Sequence, residues 1–342
     1  MIIATAFFLS ALSCYGLGFL VVQQLIRYGM IDRPNERSSH SQPTARGGGI
    51  AIILVVLAGG AVLALNSRDW KLAGVISVAT VIAAVSWVDD IRSLPAALRL
   101  ACHTGSAVAV LALFRWPLGA TMPVPAALCW LGLLVWLAGY TNAFNFMDGI
   151  NGIAAGQAVI TGLGMGVLGG LASGQWESTP VILSLVVAGA SAGFLPHNFP
   201  KARMFMGDVG SASLGFTLGV LTLWIAHDVG WWLIVPLALL HSNFVLDTGI
   251  TLIRRALAGK VWHAAHREHF YQRLVRAGKS HCFVTSLEML LQLFVGVLLV
   301  AYLDAGLLVR AGIVAGVFAT WFLYFLYCER LFRKVLPAAV MR

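Results

Sequence analysis

Asn142-Ala143-Phe144-Asn145-Phe146-Met147-Asp148-Gly149-Ile150-Asn151-Gly152 sets three amides, a carboxylate and two glycines where one apolar run ends and the next begins. Hydrocarbon does not accept such a cluster cheaply. An aspartate at a bilayer centre costs about 2.5–3.5 kcal/mol on insertion scales, and an unpartnered polar group costs several. The stretch therefore reads as a functional junction at a membrane edge.

The surrounding chain agrees. Of 342 residues, 59% are hydrophobic and only 11% charged, with a mean hydropathy of +0.85. That is far too apolar for a domain with a polar surface. Apolar windows recur at about residues 3–26, 47–66, 72–88, 98–114, 125–145, 153–171, 179–195, 209–226, 231–253, 284–303 and 308–327. Each is long enough to cross a hydrocarbon core of about 30 Å. The expected fold is all-α: a polytopic transmembrane helical bundle of about eleven spans, forming one integral-membrane domain over residues 1–342. The first apolar run lacks a basic leader and exceeds a signal h-region, so it counts as a span.

Orientation follows from the basic residues. With the N-terminus outside and the C-terminus cytoplasmic, all but Arg68, Lys71, Arg115 and Arg310 of the 23 lysines and arginines fall inward, as the positive-inside rule requires. The net charge of +9 then reports topology and anionic headgroups, and no basic groove with interleaved aromatics suggests nucleic acid. The five cysteines, scattered without CxxC spacing, indicate neither a disulfide framework nor a zinc site.

Chemistry-bearing residues collect in the inward loops, at about residues 27–46, 89–97, 146–152, 196–208 and 254–283. Thr44-Ala45-Arg46-Gly47-Gly48-Gly49 leads into the second span; a helix start there would offer free N–H groups and a guanidinium to a phosphate, or be an ordinary glycine-rich start. Asp89-Asp90 closes the third span and Asp208 opens the eighth, so with Asp148 four carboxylates share one membrane depth. Adjacent carboxylates repel unless a cation or arginine lies between them. Oxygen ligands of this kind suit Mg2+, or Mn2+, better than zinc. As single residues Asp148 and Asp208 also read as helix N-caps. The longest inward loop carries His263, His266 and His269, which on a helix would sweep a broad stripe of about 120°. Asp247, within the ninth span, reads as an internal partner for a basic residue or as a further site group, the structural role being preferred.

Taken together, Arg37-Ser38-Ser39-His40 with Pro43 to Gly49, Asp89-Asp90 with Leu94-Pro95 and Arg99-Leu100, Asn142 to Gly152, Asn198 with Phe205 to Ser211, and Ala265 to Gln272 resemble the polyprenyl-phosphate N-acetylhexosamine-1-phosphate transferases, also called glycosyltransferase family 4. The histidine segment looks closest to the branch that initiates O-antigen. The resemblance implies transfer of an N-acetylhexosamine-1-phosphate from a UDP-sugar to undecaprenyl phosphate, with UMP released and Mg2+ required. It implies a multi-pass enzyme of the bacterial inner membrane with its active site on the cytoplasmic side, in a family whose members can be homodimers. Asp208 looks like the metal ligand, and Asp89 and Asp90 like groups that position or deprotonate the lipid phosphate, directly or through metal. Asn142, Asn145, Asp148, Asn151 and Asn198 look like the nucleotide-side pocket. Thr44, Arg46, His266 and His269 look like further substrate contacts. Asn151 stands where the family often has Asp, and Ala45 where it often has Pro. The rival reading is a multi-pass transporter with an ion or substrate site at the inner interface, but no repeated halves are visible and the polar groups avoid the midplane.

Overall fold

The structure, a computed structural model, describes residues 1–34, 42–114, 125–261 and 266–335. Arg37 to His40, Arg115, His263 and Ala265 lie outside the described residues. Helices α1 (Ile2–Arg27), α2 (Ile50–Ser67), α3 (Trp70–Arg92), α4 (Ala96–Phe114), α5 (Ala126–Met147), α6 (Ile153–Ser173), α7 (Thr179–Asn198) and α8 (Asp208–Val229) come first. A short turn then leads into α9 (Ile234–Leu239), followed by α10 (Ser242–Leu257), α11 (Phe270–Arg276), α12 (His281–Ala301) and α13 (Leu307–Val335). Among the described residues, ten helices are long and apolar enough to cross a membrane. The eleventh crossing is a broken one: Trp231–Leu239 and Ser242–Leu257 meet at 72°. The ninth run expected from hydropathy is this bent pair.

A break at membrane depth frees backbone groups that lipid cannot satisfy, so protein must. Leu240 O accepts from Gln157 Nε2 at 3.1 Å, Thr161 Oγ1 at 3.3 Å and Gln292 Nε2. Asn243 Nδ2 in turn donates to Gln157 Oε1 at 2.8 Å. Glutamines from α6 and α12 thus pin the bend.

Helix α8 is buried along its whole apolar length and packs against α2, α3, α5, α6 and α7. Its residues are apolar or small all round, as a helix without a solvent or lipid face requires. A Cβ on Gly215 would meet Phe144 Cβ at 2.7 Å. Small residues likewise let α1 and α7 run side by side in the same direction: Gly189 lies against Phe7 O, Gly193 against Ala11 O and Gly18 against the ring of His197. Three short strands lie outside the helical expectation. β1 (Ile31–Asp32) pairs antiparallel with β2 (Thr44–Arg46), and β2 pairs parallel with β3 (Met204–Phe205). This sheet ties the starts of α2 and α8 together at one end of the bundle.

Gly193→Ala should lower stability by about 1–3 kcal/mol, because the added methyl would sit 2.1 Å from Ala11 O. Gly132→Ala, with nothing within 4 Å, should not. Thermal unfolding of the detergent-purified proteins by tryptophan fluorescence distinguishes them, and equal melting would refute close α1–α7 packing.

Candidate functional site

The C-terminal ends of α3, α5 and α7 meet the N-terminal ends of α2, α4, α6 and α8 at the sheet end of the bundle. Gly48 N donates to Phe205 O and Gly49 N to Met206 O, each at 2.8 Å. The amides expected to be free at the start of α2 are therefore used, and the triglycine instead lets backbones touch. A Cβ on Gly49 would lie 2.4 Å from Gly210 Cα. Arg46, at the end of β2, is carried to the opening of α8 by this contact. Thr44 lies on the rim, its hydroxyl donating to Gln42 O at 3.0 Å.

Asp89 and Asp90 read as one pair in sequence, but their surroundings differ. Asp90 has a fully buried side chain. Its Oδ1 accepts from Asp208 N at 2.9 Å and Arg46 Nε at 3.0 Å, and its Oδ2 from Val209 N at 2.9 Å. It thereby caps α8 from another helix, satisfying the first free amides and meeting the positive end of the dipole. Gly207 permits the approach: its φ is +74°, and a Cβ there would lie 2.7 Å from Asp90 Oδ2. Asp208 is consequently not the N-cap of its helix but its first residue, following Gly207.

Asp89 faces the other way. It accepts from Leu94 N, and its Oδ2 accepts from Arg99 Nη1 at 3.0 Å. The same Nη1 lies 3.4 Å from Asp208 Oδ2, while Arg46 Nη2 lies 3.5 Å from Asp208 Oδ1. Three carboxylates thus face two guanidiniums. Arg99, which stands in the aspartate-pair motif but has no expected role in the site, is the shared cation.

The opening segment lines the next part of this end. Asn142 Oδ1 lies 3.3 Å from His103 Nδ1, and Asn142 Nδ2 donates to Ala138 O at 2.7 Å. Asn145 Oδ1 accepts from Ser211 Oγ at 2.6 Å. Asp148 ends α5 as its C-cap rather than starting α6 as an N-cap. Its carboxyl is pushed up to about 7, first by burial and then by the charge of Asp90, against the pull of Arg46. Asn198 bridges two loops, accepting from Gly152 N at 2.7 Å and donating to Met204 O at 2.9 Å. Asn151 Nδ2 donates to Pro200 O at 3.1 Å. Of the five residues assigned to a nucleotide pocket, Asn151 and Asn198 therefore tie loops together.

His266 and His269 precede α11 instead of lying along a helix, and His263, the third member of the expected stripe, lies outside the described residues. His266 and His269 stand with ring centroids 4.9 Å apart. Burial, and then the neighbouring His269, push His266 down to about 4. Arg255, at 2.7 Å, and Lys260, at 3.0 Å, hold Glu268 beside them. The hydroxyl of Tyr271 donates to Phe146 O at 3.1 Å, and a Cβ on Gly149 would clash with it. This joins the histidine segment to the loop that carries Asp148.

Among the described residues no three histidine, cysteine, aspartate or glutamate side chains form a metal cage. The donor set nonetheless fits Mg2+, which is commonly held by one or two carboxylates with waters and substrate phosphates. Asp89 Oδ2 and Asp208 Oδ2 converge on one guanidinium nitrogen, and Asp208 keeps 18% of its side chain exposed. Asp90 fits less well, because both its oxygens already accept.

A model of glycosyl transferase family 4 matches residues 72–226. The chain is 30% identical over 291 residues to a Bacillus subtilis protein named "Probable undecaprenyl-phosphate N-acetylglucosaminyl 1-phosphate transferase", covering 82% of this chain and 79% of that one. It is 31% identical to a decaprenyl-phosphate N-acetylglucosaminephosphotransferase of Mycolicibacterium smegmatis, over 80% of this chain and 74% of the relative. It is also 31% identical to a phospho-N-acetylmuramoyl-pentapeptide-transferase of a Synechococcus strain, over 82% and 83%. Relatives matched along most of their length, and a family model that spans Asp89, Asp90, the Asn142–Gly152 segment and Asp208, place this chain in the polyprenyl-phosphate N-acetylhexosamine-1-phosphate transferase family.

Proposed function

We propose that the protein transfers an N-acetylhexosamine-1-phosphate from a UDP-sugar to undecaprenyl phosphate at the cytoplasmic face of a bacterial inner membrane. The observation that carries this reading is the convergence of Asp89 and Asp208 on Arg99, with Arg46 on the far side of Asp208, in a chain of this family. A lipid phosphate oxygen attacks the β-phosphorus of the UDP-sugar. The bond from that phosphorus to the bridging oxygen breaks, and UMP leaves. N-acetylglucosamine is the first sugar to try, because the Bacillus and Mycolicibacterium relatives are named for it. The product starts a cell-envelope polysaccharide, of which O-antigen is one.

Phosphoryl transfer asks mainly for positioning and neutralisation of charge. Mg2+ bound by Asp208 and Asp89 would supply that neutralisation. Arg46 and Arg99 already stand at the carboxylates and are the side chains to hold phosphate oxygens there. Asn142, Asn145 and Asp148 offer donors and acceptors to the nucleoside, and His266 and His269 face the diphosphate from the α11 side. A general base is dispensable, since a phosphate monoester with a second pKa near 6 is largely ionised at pH 7. Asp89 then orients, and Asp90 holds α8 and Arg46 in place. The basic loops and the cytosolic supply of nucleotide sugars favour an N-terminus outside and a C-terminus inside.

Purified protein given undecaprenyl phosphate, Mg2+ and UDP-N-acetylglucosamine should release UMP. EDTA or Asp208→Ala should reduce the rate by at least about a hundredfold. No lipid-dependent UMP release with any UDP-N-acetyl sugar would overturn the assignment. Asp89→Asn should slow UMP release and, with one backbone amide and one half-exposed guanidinium as its partners, lower the melting temperature less than Asp90→Asn does. Asp90→Asn should lower both, since breaking charge-assisted bonds to two buried amides costs about 1.5–3 kcal/mol. Equal melting of the two variants would refute the division of labour.

A further inference from the structure

Asp247 takes no part in the reading above, yet it is only 1% exposed and sits in the second half of the broken helix. A carboxylate so placed is tolerated only when its oxygens are fully used. They are. Oδ1 lies 2.9 Å from His269 Nδ1 and accepts from Thr251 Oγ1 at 3.1 Å. Oδ2 accepts from Phe270 N at 2.9 Å and Tyr271 N at 3.4 Å. Phe270 and Tyr271 are the first residues of α11, so Asp247 closes α11 from another helix as Asp90 closes α8. Each capped turn carries a side chain assigned to the reaction: Asp208 opens α8, and His269 is the N-cap of α11.

We propose that Asp247 is the positioning residue for His269, an inference that rests on the reading of His269 as a diphosphate-facing group. An imidazole has one rotatable approach to its ligand and two nitrogens. A carboxylate at Nδ1 fixes the ring plane; with both nitrogens protonated, Nδ1–H donates to Asp247 and Nε2–H is the donor left for a diphosphate oxygen. The two backbone bonds hold the segment that carries the ring. Through Tyr271, whose hydroxyl donates to Phe146 O, they also set His269 relative to the loop of Asp148. The buried aspartate thus turns a packing feature of the broken helix into control of the site.

The test is a double-mutant cycle on full-length protein in detergent, with kcat and KM measured by UMP release and melting followed in parallel. Asp247→Asn keeps the size but replaces an acceptor with an amide donor facing donors. It should lower kcat about tenfold, with KM for the UDP-sugar changed less than about twofold. In a His269→Ala background it should lower kcat less than about twofold. A purely structural aspartate would instead give the same loss in both backgrounds, and that result overturns the proposal. Wild-type kcat in His269→Ala also overturns it, whereas absence of UMP release from the wild type defeats the function itself. Should Asp247→Asn not fold, His269→Ala is assayed with added imidazole and with 1-methylimidazole, which has no N–H to give Asp247. Rescue by imidazole alone supports the proposal; equal rescue by both, or by neither, overturns it.

Discussion

The carboxylate of Asp90 at the start of α8 is the contact on which the rest of this end of the molecule depends. Helix α8 is enclosed on all sides, so its leading amides have no water to turn to, and each would cost about 1–3 kcal/mol unpaired. Asp90 satisfies two of them and meets the positive end of the helix dipole. That fixes the depth at which Asp208 emerges. Gly207 and the triglycine before α2 are the steric conditions for it, since side chains there would hold the backbones apart. Arg46 completes the balance and is carried into place by the β2–β3 pairing.

A second constraint is the bend between α9 and α10. The carbonyl of Leu240 draws three side-chain donors from α6 and α12, and the half-helix beyond it brings Asp247 under the histidine segment. Both irregular regions obey the same rule. Inside a membrane protein a departure from regular helix survives where protein groups take over the hydrogen bonds. At the start of α8 the group that takes them over, Asp90, also holds Arg46.

Electrostatics links the two. Bringing a lipid phosphate against a diphosphate costs roughly 3 kcal/mol per charge pair at about 5 Å with an effective dielectric of 20. Three carboxylates against two arginines leave the cluster short of positive charge, which suits a divalent cation followed by phosphates. The family model covers residues 72–226, hence Asp89, Asp90, Arg99 and Asp208. Arg46 and the histidine segment lie outside that span, and both are attached to it by the contacts described above.

The crossings were legible in the sequence, because hydropathy over about 20 residues is a local property, and so was the gathering of Asp89, Asp90, Asp148 and Asp208 at one membrane edge, because alternating spans put every second loop on the same side. The motif residues were legible by type, since amides, carboxylates and glycines at span ends have few other uses. What each does was not. Neighbours on a helix point about 100° apart, so Asp89 and Asp90 meet different partners, and one partner of Asp90 lies 118 residues away. That Gly48 and Gly49 spend their amides on Phe205 and Met206, that Asn198 bridges loops, that Arg99 joins two carboxylates and that Asp247 reaches His269 were decided only by the tertiary structure. Each is a contact between segments distant in the chain, and their distance and direction exist only once the helices have packed.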